Sequence, residues 1–138
     1  MVDFPATPRK HVFLSPLLKA PGQPHRLENV RNSRILATCL IPAFDSQSRR
    51  SGLLHYKTFD ESSAMLIAPS NAVHTFFMRF PIDIAFATRE GRIVKACAAV
   101  KPWRIAAALR GSVVIELPAG TLARCETRAG DSLAIVPA

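Results

Sequence analysis

The residues of this chain best equipped for chemistry are one histidine and two carboxylates, His74, Asp83 and Glu116. An imidazole changes charge near neutral pH, so it can serve as acid, base or ligand. Thr75 follows His74 and offers a hydroxyl that could bond a ligand. The structural role open to His74 is to cap a strand end by bonding backbone. Asp83 stands between Ile82 and Ile84, where a carboxylate must reach solvent or find a donor. Glu116 ends an apolar run just before a helix start, and could bond helix amides or an arginine there. Asp131 after Gly130 reads as a turn aspartate. Trp103, beside Pro102 and Arg104, reads either as a plug for the end of the core or as an aromatic platform for a ligand. With Arg79 these residues form a candidate ligand-binding set: His74, Thr75, Arg79, Asp83, Trp103 and Glu116.

Several chemistries lack their usual spacing. The blocks holding these residues contain a single histidine and no HxH or HExxH pattern, so no metal is assigned. No GxSxG occurs, and no cysteine stands at a helix start near a histidine, so no catalytic nucleophile is assigned. No Walker or Rossmann glycine pattern is present, so no nucleotide cofactor is expected.

The elements that must position these groups are mostly strands. Alternation predicts a strand over Arg34–Ile41, with Ile35, Ala37, Cys39 and Ile41 on one face, ended by Pro42. Asp45 suits the N-cap of a short helix over Ser46–Ser51, closed by Gly52, with Arg49 and Arg50 toward solvent. Ala64–Ala68 reads as a buried strand and His74–Phe80 as an alternating one. Ile82–Thr88 and Arg92–Val100 read as a hairpin through Arg89, Glu90 and a left-handed Gly91. In that register Phe86 opposes Val94, and Lys95 becomes the diagonal partner of Asp83. Ser112–Leu117 and Ser132–Val136 read as further strands, with a short helix opening at Pro118. Strands joined by tight turns, with one or two short helices, imply a mainly β domain: a compact β-sandwich or partly open, jelly-roll-like barrel.

The totals set bounds. A chain of 138 residues fits one domain, and 49% hydrophobic residues argue against a chain disordered throughout. No apolar run nears the roughly 18 residues of a membrane helix, and the amino terminus does not read as a secretory signal. A cytoplasmic location is therefore expected. Cys39, Cys97 and Cys125 form no CxxC pair and read as buried small thiols. Residues 1–32 hold five of the eleven prolines without periodicity, and read as an irregular basic leader to a single domain over 33–138. The net charge is +8, and residues 1–34 carry half of it. Because the excess lies in the leader and not in a recognised motif, nucleic-acid binding ranks last among the functions considered.

Blocks in order along the chain resemble the family known as domain of unknown function 192. They are Arg50-Ser51-Gly52-Leu53-Leu54, Ala64-Met65-Leu66-Ile67, His74-Thr75-Phe76-Phe77-Met78 and Pro81-Ile82-Asp83-Ile84-Ala85-Phe86. Gly91-Arg92-Ile93-Val94, Lys101-Pro102-Trp103, Glu116-Leu117-Pro118-Ala119-Gly120 and Gly130-Asp131 follow. The resemblance implies a compact, mainly β domain of jelly-roll or barrel type, and no known activity. Many members have a tryptophan where this chain has Phe77, and many are exported. The function expected is a non-catalytic domain binding a small molecule or peptide. The alternatives are an enzyme using His74 as acid or base with Asp83 or Glu116, and an anionic-surface or nucleic-acid binder acting through the leader. The oligomeric state is not legible in the residues.

Overall fold

The protein is described here by a computed structural model covering residues 12–138. Thirteen elements follow in order: helix α1 (Ser15–Lys19), strands β1 (His25–Asn29), β2 (Ile35–Ala37) and β3 (Cys39–Ala43), helix α2 (Ser46–Ser51), strands β4 (Ser63–Ile67), β5 (Ala72–His74), β6 (Ile82–Ala87), β7 (Ile93–Val100), β8 (Ile105–Ala107) and β9 (Val113–Pro118), helix α3 (Thr121–Arg124) and strand β10 (Leu133–Pro137). The described residues form a five-stranded sheet ordered β3-β4-β9-β6-β7, a three-stranded sheet ordered β10-β1-β2 and a two-stranded ribbon of β5 and β8. Among the described residues the fold is mainly β, with three short helices and no closed barrel, in keeping with a sandwich.

The five-stranded sheet is covered on both faces. Val113, Ile115 and Leu117 of β9 pack into one apolar cluster with Leu27, Leu36, Ala85 and Ile135, so that side faces the three-stranded sheet. Val114 points into a second cluster with Leu53, Met65, Ile67, Met78, Ile84 and Phe86. This explains why β4 and β6 are buried at every position: a central strand sandwiched on both faces has no solvent side to mark.

Local sequence explains several elements. The Asp45 side chain accepts the Ser48 N–H at 2.8 Å and caps α2, which ends at Gly52 with φ of 47°. The β6–β7 turn closes on Gly91 at φ 96°. A Cβ there would stand 2.5 Å from the Leu133 carbonyl oxygen and 2.8 Å from Phe13 Cδ1. Gly91→Ala is expected to destabilise the fold by about 2–3 kcal/mol, combining a left-handed penalty with a clash against backbone. Chemical denaturation of the two proteins would check this.

Other expectations are corrected. The part of the leader that is described, residues 12–32, is not irregular: it contains α1 and β1, and β1 pairs with both β10 and β2. Leu27 of β1 is fully buried, so this segment joins the core across the expected boundary at residue 33. Residues 1–11 of that leader lie outside the described residues. The strand expected over Arg34–Ile41 is two strands. At Thr38 the chain leaves one sheet for the other, and the N–H groups of Thr38 and Cys39 both bond the Ser62 carbonyl. Ile35 and Cys39 are consequently exposed, and Cys39 is not a buried thiol. The hairpin register also differs. Irregularities flank Ile84 and Phe86, so Phe86 faces Lys95 and Ile84 faces Cys97.

Asp131 does more than fix its turn. Arg31 donates to it from Nε at 2.7 Å and Nη2 at 3.0 Å, and Asn29 Nδ2 donates at 2.9 Å. The Arg31 guanidinium holds the Asp131 carboxyl well below the usual carboxylate range. This clasp fastens the β1 end to the turn before β10.

Candidate ligand site around Glu116

Strand alternation and pairing decide where the two central carboxylates go. In the β6–β9 ladder Ile84 stands opposite Glu116, and Asp83 stands opposite Leu117. Cross-strand partners project to the same face. Glu116 therefore shares the face of Ile84, and Asp83 projects to the other with Leu117. The His74–Asp83 pair considered from sequence is not formed, because His74 lines the cavity on the Glu116 side and Asp83 projects to the other face.

Asp83 is a fold-fixing residue. Its Oδ1 accepts the Ala99 N–H at 2.8 Å, and its Oδ2 accepts the N–H groups of Gly120 at 3.1 Å and Leu122 at 2.8 Å. Three charge-assisted bonds satisfy a fully buried carboxylate and pin β7 to the start of α3. Lys95 is not its partner; Lys95 donates to the Ala107 carbonyl at 2.9 Å.

Glu116 is the opposite case. Its ladder neighbours on the same face are Met65 and Ile84, both apolar. The side chain is buried, and among the described residues nothing donates to Oε1. Burial alone pushes its pKa up to about 7. The carboxyl lies at a cavity of about 460 Å³ whose lining includes Arg50, Gly52, Leu53, His74, Phe76 and Met78. Gly52 ends α2 beside the acid, and a Cβ on it would come within 3.7 Å of Oε1. The capped α2 and its terminal glycine thus form a wall of the cavity.

His74 is exposed at the end of β5 and lines the same cavity. Its Nδ1 accepts the Phe76 N–H at 3.3 Å, which leaves Nε2 for an external partner. Its ring stacks on Phe76 at 4.9 Å, and Phe76 stacks on Trp103 at 5.7 Å. Phe77 meets Trp103 edge-on at 4.5 Å. Phe77 is 66% exposed and Trp103 55%, so Trp103 does not plug the core.

Both rings stand on strained backbone, with φ of 66° at Phe77 and 67° at Trp103. Bulky residues seldom occupy that region. Thr75 holds them there. Its hydroxyl donates to the Lys101 carbonyl at 2.7 Å and accepts the Arg104 N–H at 2.9 Å, while its own N–H bonds the Arg104 carbonyl. Its carbonyl accepts the Trp103 N–H at 3.0 Å. The strand expected over His74–Phe80 ends at His74 because Thr75 turns the chain toward this corner. Strain retained in an exposed aromatic cluster is the pattern of sites that present side chains outward.

Of the six residues predicted from sequence, the structure brings His74 and Glu116 to one cavity, with Trp103 joined to them through Phe76. Thr75 is buried and spent on backbone, and Asp83 faces away. Arg79 is exposed and does not line the cavity. Arg50, Gly52, Phe76 and Met78 were missed. They fall in the Arg50–Leu54 and His74–Met78 blocks, whose coincidence on one cavity follows only from the sheet order.

These features define a small, mainly β domain with a doubly covered sheet and a polar-floored cavity beside its α2 wall. Residues 29–135 match the profile of DUF192, described as an uncharacterized ACR. The chain belongs to this family. Two solved structures share the fold. One, from Sinorhizobium meliloti and described as a candidate transcription regulator, has 24% identity and a TM-score of 0.70, covering 80% of this chain and 91% of its own. The other, a protein of unknown function from Novosphingobium aromaticivorans, has 19% identity and a TM-score of 0.69, covering 80% and 82%. No curated protein matches.

Proposed function

We propose that this protein is a non-catalytic binding domain that takes a small molecule or the end of a peptide in the Glu116 cavity. One observation carries the reading: a carboxyl buried among apolar neighbours, without a donor for Oε1 among the described residues, at a cavity open to solvent. A buried polar group left unpaired costs free energy, and a ligand that supplies the donor recovers it. The exposed aromatic rim offers apolar contact beside this polar anchor. A thermal-shift screen of small polar compounds is expected to return hits that His74→Ala weakens and Glu116→Gln abolishes. Hits that ignore both substitutions would place binding elsewhere and sink the assignment.

A second reading is supported by the same residues. A carboxyl poised near neutrality in a cavity shared with His74 suits general acid–base work. Turnover in an activity screen that Glu116→Gln removes would favour it over simple binding. Nucleic-acid binding through the basic leader is weakened by internal pairing. Arg26 and Arg31 of that leader are bonded to Glu28 and Asp131 respectively. We read the compartment as cytoplasmic, supported by three free thiols at Cys39, Cys97 and Cys125. No helix among the described residues is long and apolar enough to cross a membrane.

A further inference from the structure

We propose that the Glu116 cavity holds an amino-acid-like zwitterion, its ammonium against the Glu116 carboxyl and its carboxylate toward Arg50; this rests on the binding-site reading above.

The cavity presents two unmatched polar groups of opposite tendency. At the buried end, Glu116 Oε1 has no donor among the described residues. At the exposed end, Arg50 lines the same cavity, and no hydrogen bond or ion pair joins it to any described residue. Arg49 lines the cavity too, but it is held back by donating from Nη1 to the Phe44 carbonyl at 2.7 Å. Arg50 is the lining guanidinium without a hydrogen bond among the described residues, and so the one free to turn to a ligand. The same lining includes Leu53, Ile67, Val73 and Met78, which offer no competing hydrogen bonds from their side chains.

Charge matching selects the ligand. A simple cation would pair with Glu116 but sit near the unneutralised Arg50. A simple anion would pair with Arg50 and leave the buried carboxyl unmet. A neutral polyol could bond Glu116 but would leave Arg50 idle. A molecule carrying both an ammonium and a carboxylate answers both ends, and charge-assisted bonds of this kind are the strong ones. About 460 Å³ is ample for such a molecule. Phe76 and Phe77 in the lining, backed by Trp103, give an apolar side chain a surface to lie on.

Proton linkage makes the idea testable. Burial keeps Glu116 largely protonated below about pH 7. An arriving ammonium needs the carboxylate, so binding releases that proton. Affinity should then rise by up to about tenfold per pH unit below neutrality and level off above it. A neutral ligand that accepts from the protonated acid would show the reverse slope.

The experiment is calorimetric titration of the full chain with L-phenylalanine, phenethylamine, N-acetyl-phenylalanine and glucose, from pH 5.5 to 8. L-phenylalanine is expected to bind, with affinity rising to neutrality, and N-acetyl-phenylalanine to bind at least about tenfold more weakly. Glu116→Gln should lose binding by more than about tenfold and flatten the pH profile. Arg50→Ala, at an exposed position that leaves folding alone, should weaken L-phenylalanine about threefold to fivefold and spare phenethylamine. If N-acetyl-phenylalanine or glucose binds as tightly as L-phenylalanine, and Glu116→Gln abolishes it, the cavity is a binding site but the zwitterion is wrong. If none of the four probes binds and the wider compound screen is also silent, the binding-site reading falls with it.

Discussion

Glu116→Gln is expected to make this protein more stable at pH 8, by roughly 2–3 kcal/mol, while removing ligand binding. The reason is the direction of the Glu116 shift. Its folded pKa of about 7 lies above the ordinary 4.5 because burial disfavours the charged form. Between those values the unfolded chain has released a proton that the folded chain keeps. The contribution of Glu116 to stability is therefore greatest below about pH 4.5, falls as pH rises toward 7, and is level beyond. Glutamine keeps the shape and cannot ionise, so its contribution is flat across the same window. Urea unfolding of both proteins at pH 5, 6, 7 and 8 would read the difference directly. Parallel curves, with no divergence between pH 5 and 7, would mean that the carboxyl is satisfied in the folded protein, and would overturn the prediction. A residue whose removal stabilises the fold is hard to explain as structural, and this prediction therefore bears on function.

Asp83→Ala should have the contrary effect, destabilising the fold by roughly 3–5 kcal/mol. Three backbone N–H groups, of Ala99, Gly120 and Leu122, would lose their acceptor in a buried setting. Ala99 itself stands at φ 49°, so the β7 irregularity depends on this bond. Asp83→Asn can keep an oxygen toward Gly120 and Leu122 but would turn an NH₂ toward the Ala99 N–H. An intermediate loss of about 2 kcal/mol is expected. Because Asp83 and Glu116 occupy opposite sheet faces, Asp83→Asn should leave ligand affinity unchanged wherever the protein remains folded. A change in affinity without a change in stability would show that the two faces communicate, and would restore Asp83 to the site.

The contrast between these two acids shows what the residues specify locally and what they leave open. The mainly β class, the Asp45-capped α2, the Gly91 turn and the hairpin it joins are written in short-range terms. Each needs only alternation, a capping side chain or a positive φ within a few residues. The family blocks likewise follow from order along the chain. The neighbourhood of Glu116 needs more. Val113–Leu117 and Ile82–Ala87 are buried on both faces because helices, loops and a second sheet cover both sides, so periodicity does not tell which face leads to the cavity. The register Ile84↔Glu116, set by pairing strands 32 positions apart in sequence, decides it. The same long-range pairing drew β1 from the expected leader into a sheet with the carboxyl-terminal strand. The exposure of Trp103 was decided in the same way, by Thr75 bonding a corner 26 to 29 residues away. Local pattern is enough for the strand-forming segments, their turns and caps, and the presence of a few ionisable groups among apolar ones. Which of those groups is satisfied by backbone and which is left unpaired at a cavity follows from the assembled sheets. Hydrogen-bond satisfaction inside a protein depends on partners brought together by the sheet order, and no local pattern carries that order.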